Sequence, residues 1–82
     1  MNWVVVALDA FDAWAAETND VELRIGVLTW LVGLQSEGPP MTGSFDPFRD
    51  TWTVVVPETG VTVEYILAPF LDPPALVCRR FF

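Results

Sequence analysis

The run from Asp20 to Glu37, DVELRIGVLTWLVGLQSE, holds no proline and is apolar on almost every side, which limits the architectures open to the chain. At about 100° per residue, Leu23, Val27, Trp30, Leu31 and Leu34 share one stripe, while Val21, Ile25, Leu28 and Val32 share a second. Arg24 and Gln35 divide the stripes on one side; Glu22, Gly26, Thr29, Gly33 and Ser36 make a small, polar face on the other. Such a helix needs cover nearly all round, most simply a sheet on one stripe and a second helix or a partner chain on the other. Asn19 with Glu22 reads as a capping box at its start, and Gly38, Pro39 and Pro40 stop it. Arg24, between the stripes, is expected either to pair with an acid of a neighbouring helix or to lie under a partner.

Around this helix the chain reads as strands and turns. Met1 to Leu8, MNWVVVAL, predicts a strand apolar on both faces, which belongs inside a sheet or under a partner. Asp9 is a candidate N-cap for a short helix, DAFDAWAAET, with Phe11, Trp14, Ala15 and Thr18 on one face. Gly38 to Asp50 is dense in glycine, proline and aspartate and predicts an irregular loop, with Phe45 and Phe48 pinning it to the core. Thr51–Val56 and Val61–Ala68 predict a hairpin about a turn at Pro57–Gly60, and Ala75–Phe82 a last strand. The four tryptophans, Trp3, Trp14, Trp30 and Trp52, are expected to pack in the core. The fold class is therefore α+β, ordered β-α-α-β-β-β, with a two-helix hairpin on one face of a mainly antiparallel four-stranded sheet, all in a single domain over residues 1–82.

Length and charge narrow the functions. A chain of 82 residues buries only about 60% of its unfolded surface, so so many large apolar side chains favour self-association or a protein partner. The lone cysteine, Cys78, excludes an internal disulfide and suits a small core residue in a reducing compartment. With one thiol and no histidine, neither zinc nor another cofactor is expected. The N-terminus has no basic region before its apolar run, and only twelve uncharged residues separate Arg24 from Glu37, where a membrane span needs about twenty. A cytoplasmic protein with no membrane association is expected. Eleven acids against four arginines give a net charge of −7, which repels nucleic-acid backbones. Arg49, Arg79 and Arg80 all follow residue 41, so an anion site belongs to the second half.

The order of elements, together with LTWLVGLQSEGPPM and its Glu37-Gly38-Pro39 ending, resembles the RelE/ParE superfamily of bacterial toxins, in its phage-derived, HigB-like branch. The resemblance implies a toxin held by an antitoxin protein, which either cuts messenger RNA on the ribosome or binds gyrase. It also implies basic residues on the sheet, a carboxylate acting as base and an aromatic near the C-terminus. By strand position these would be Arg49, Glu64, Tyr65, Arg79, Arg80, and Phe81 or Phe82. The chain departs from the branch in having no lysine or histidine, and in reading Phe48-Arg49-Asp50 where Glu-Leu-Arg is common.

Cleaving RNA with its own 2′-hydroxyl needs a base, positive charge on the phosphate and a proton for the leaving oxygen. Glu64 is the candidate base, Arg49 with Arg79 or Arg80 the clamp, and Tyr65 a donor. Strand alternation puts Glu64 and Tyr65 on opposite faces, and likewise Arg79 and Arg80. If Glu64 looks outward, Tyr65 belongs to the core. Three readings follow: a ribosome-dependent endoribonuclease toxin, a non-catalytic protein-binding module on the same fold, and, for Glu64 with its arginine, an ordinary cross-strand ion pair. Partners would be an antitoxin, a second copy of the chain, or RNA and the ribosome if the site is catalytic.

Overall fold

The computed structural model describes residues 2–82. Their elements are β1 (Val4–Val6), α1 (Leu8–Ala16), α2 (Val21–Glu37), β2 (Ser44–Asp46), β3 (Thr51–Val55), β4 (Thr62–Ala68) and β5 (Ala75–Phe81). The sheet is five-stranded and open, in the order β1-β5-β4-β3-β2, with β1 parallel to β5 and every other pair antiparallel. The class is α+β, with five strands rather than the expected four. No helix among the described residues is long and apolar enough to cross a membrane.

The additional strand, β2, lies within the stretch expected to be irregular. Phe45 is opposite Trp52, and their rings sit 5.1 Å apart, so one aromatic pair holds a three-residue ladder. Asp46 then accepts a hydrogen bond from the Phe48 amide at 2.9 Å, which turns the chain back into β3. Phe45 does pin the loop, but Phe48 is 98% exposed and pins nothing.

Helix α2 occupies the span expected for it, with a different cap. Asp20, not Asn19, is the N-cap, and its carboxylate accepts from the Leu23 amide at 3.1 Å. At the other end Gly38 has φ 80° and ψ −167°, a region open essentially to glycine. A Cβ there would meet the Trp3 indole nitrogen at 3.1 Å, and the Trp3 amide donates to the Gln35 carbonyl at 2.8 Å. The end of α2 and the entry to β1 are thus fastened together.

The first strand is shorter than expected because α1 starts at Leu8, before Asp9. Ala7 is its N-cap without a side-chain cap, while Asp9 sits in the first turn, where the helix favours a carboxylate. β1 is an edge strand, not an interior one, and its Val4 and Val6 are exposed.

Val27, Leu31 and Leu34 of α2 are buried against Val54, Val63, Tyr65, Leu76 and Phe81 of the sheet, with Leu23, Trp30 and the other three tryptophans packed partly buried around them. Phe81 meets Phe11 and Trp14 of α1 at centroid distances of 6.0 and 5.9 Å. One stripe of α2 therefore faces the sheet as the pattern requires. The second stripe is uncovered: Val21, Ile25, Leu28 and Val32 are each 49–60% exposed. Among the described residues Arg24 pairs with no acid; its Nη2 donates to the Thr18 carbonyl, tying α2 to the turn before it.

Replacing Gly38 by alanine should cost about 1–3 kcal/mol, since it adds a Cβ in a glycine-only conformation. Gly33, with open space around its Cα, should gain about 0.5–1 kcal/mol from the same change. Denaturant titration of both variants checks the pair.

Candidate functional site

Alternation along β4 and β5 decides which side chains reach the face away from the helices. Val63, Tyr65 and Leu67 stand opposite Phe81, Cys78 and Leu76, and these belong to or pack on the core. Glu64 and its partner Arg80 therefore point to the uncovered face. The ladder slips at Glu64/Tyr65: Glu64 meets Arg80, Tyr65 meets Cys78, and Arg79 is the extra residue of a β-bulge. Both arginines border a groove beside Ala10, Ala13, Trp14 and Glu17 of α1, but Arg80 alone of the two reaches Glu64, and among the described residues Arg79 makes no ion pair.

On the uncovered face three segments converge. Arg49, in the turn between β2 and β3, brings its Nη2 to 3.2 Å from Glu64 Oε2 and 3.4 Å from Oε1. Arg80 Nη2 lies 3.4 Å from the same Oε2, and its guanidinium sits 4.7 Å from the centre of the Phe82 ring. Glu64 is only 6% exposed, whereas both arginine side chains are 55% exposed. A buried carboxylate thus lies under two loosely held, wet guanidinium groups. The contacts exceed the roughly 2.7–2.9 Å of a tight charge-assisted bond, so either arginine can turn outward at modest cost.

Of the residues expected at a site, Arg49, Glu64 and Arg80 are brought together, Arg79 is not, and Tyr65 is buried with its ring stacked 6.4 Å from Trp52. The C-terminal aromatics divide, Phe81 into the core and Phe82 onto Arg80. Thr51 escaped the sequence reading. It is buried on the Glu64 face, and among the described residues its hydroxyl has no hydrogen-bond partner. Its alternation with Thr53, which stands opposite Glu64, was the available signal.

Two buried groups on the other face have shifted acidities. Burial pushes the Cys78 thiol up from 9.0 to about 12, and burial, with the nearby Cys78, raises the Tyr65 hydroxyl. A thiol held protonated is a poor nucleophile, so Cys78 serves packing.

The chain matches no family model, no curated protein and no solved structure.

Arg49→Ala and Arg80→Ala should each cost on the order of 1 kcal/mol, and the double variant more than their sum, because the buried carboxylate then keeps no cation; a double-mutant cycle in urea reads the coupling. The thiol ionises at lower pH in the unfolded chain than in the fold, so the folded state holds more protons above pH 9. The Cys78 contribution to stability should be constant below about pH 9 and fall toward pH 12 by up to about 1.4 kcal/mol per unit, and Cys78→Ala should remove that part of the slope.

Proposed function

We propose that this chain is the toxin-like component of a type II toxin–antitoxin pair, with RNA as the substrate class of its uncovered sheet face. The observation that carries this reading is the convergence of Arg49, Glu64 and Arg80 from three separate segments on the face that the helices leave bare. Support also comes from the sequence, whose expected β-α-α-β-β-β order and Glu37-Gly38-Pro39 ending resemble the RelE/ParE toxins; the fold adds the short strand β2 to that order.

The chemistry follows from the loose pairing. A phosphodiester reaching the face competes with Glu64 for the two half-exposed guanidinium groups and draws them outward. The carboxylate loses its partners as the phosphate gains them, and is then free to take the proton of the adjacent 2′-hydroxyl. The 2′-oxygen then bonds to phosphorus as the P–O5′ bond breaks, leaving a 2′,3′-cyclic phosphate and a 5′-oxygen that takes its proton from water, while the arginines stabilise the charge that builds on the phosphate oxygens.

A second reading, a non-catalytic protein-binding module, is favoured by the closed state of the cluster, in which both guanidinium groups already contact Glu64, and by the net charge of −7, which opposes approach to RNA.

Induced expression of the chain alone should arrest growth, and Arg80→Ala should lower cleavage of ribosome-bound messenger RNA by roughly 100-fold or more with the circular-dichroism spectrum unchanged. Normal growth at high soluble expression, with no cleaved transcripts, rejects the toxin reading in favour of the module.

A further inference from the structure

The opposite side of the molecule carries a surface that this chemistry does not use. Val21, Ile25, Leu28 and Val32 follow one another at intervals of four, three and four residues along α2, all about half exposed, and Leu8 of α1 is 78% exposed. Intervals of this kind form the seam along which one helix receives another. From Ile25 to Ser36 the helix bears no charge at all.

The two ends of the seam differ. Near its C-terminal end it borders an apolar groove of about 140 Å³, lined by Leu8, Phe11, Leu28, Leu31 and Val32 among others. At its N-terminal end Asp20 and Glu22 flank Val21, and on the adjoining small-residue side of α2 they line, with Glu58, Gly26 and Thr29, a cleft of about 480 Å³ against the turn after β3. The charge of the layer agrees: Leu8 to Glu37 holds six acids and one arginine, a net of −5, and that arginine is already bound to the Thr18 carbonyl.

We infer that the outer face of α2 is a docking site for a helix of another protein, one with aliphatic residues along one side and lysine or arginine at the end that lies over Asp20, Glu22 and Glu58. A second copy of this chain does not meet the charge requirement. Its four arginines lie elsewhere: Arg49 and Arg80 on Glu64, Arg79 beside α1, and Arg24 on Thr18. An anionic membrane is repelled by the same acids. The inference rests on the partner-dependent part of the proposed function and adds the partner's chemistry; it does not need the RNA site.

The test uses the full chain and two synthetic amphipathic helical peptides with the same leucine seam, one ending in three lysines and the other in three glutamates. Fluorescence anisotropy should show the lysine peptide binding about tenfold or more tightly than the glutamate peptide at low salt, with the gap narrowing as salt is raised. Ile25→Glu with Leu28→Glu should abolish binding of both peptides, and Glu22→Lys with Glu58→Lys should reverse the preference. Equal affinity for the two peptides, no binding of either, or binding that survives the Ile25/Leu28 change overturns the inference. So does a dimer in sedimentation that the same change dissolves, which gives the face to a second copy. Growth arrest reports on the toxin reading alone, so the two can fail separately.

Discussion

The packing of one stripe of α2 on the sheet is the contact from which the remaining arrangement follows. Val27, Leu31 and Leu34 fill the space over Val54, Val63 and Leu76, and each of these is nearly inaccessible to water. Hydrophobic burial of this kind is the main favourable term in a domain so small. Once that stripe is seated, the helix has a fixed rotation. Its second stripe must face outward, its small-residue side must lie beside the β3–β4 turn, and the sheet can be covered on one face only. The bare face and the greasy outer helix are both results of the same seating.

The two surfaces left over have opposite chemistry. On the sheet, charge gathers where the backbone alternates outward, and a buried carboxylate is paired with two arginines. On the helix, charge is missing along the seam and concentrated at its ends. A single acidic chain thereby presents one polar and one apolar surface on opposite sides of a thin molecule, whose shortest extent is 22 Å.

Much of the fold was legible because its strongest signals are local. The span of α2, the β3–β4 hairpin and the last strand were each set by periodicity and by glycine or proline punctuation. β2 was not, since three residues, Ser44–Asp46, carry no readable period, and their pairing depends on Phe45 finding Trp52 across the turn. The start of α1 leaves no such signal, because Ala7 caps it through the backbone alone, without a side chain to mark the place. At the candidate site, alternation correctly set Glu64 and Tyr65 apart. It could not say which arginine joins Glu64, because the bulge that decides it is a property of the ladder between two strands and leaves no mark in either one.

The pairing of β1 with β5 has a consequence for how the molecule comes together. Val4–Val6 finds its partner only at Ala75–Val77, near the far end of the described chain, and β5 lies inside the sheet with a neighbour on each edge. Local helices and the central hairpin can form early, but the sheet stays divided until that late segment threads between its two halves. Until then the apolar sides of β1 and α2 stand open to any passing surface, so a chain emerging from the ribosome gains most from early company.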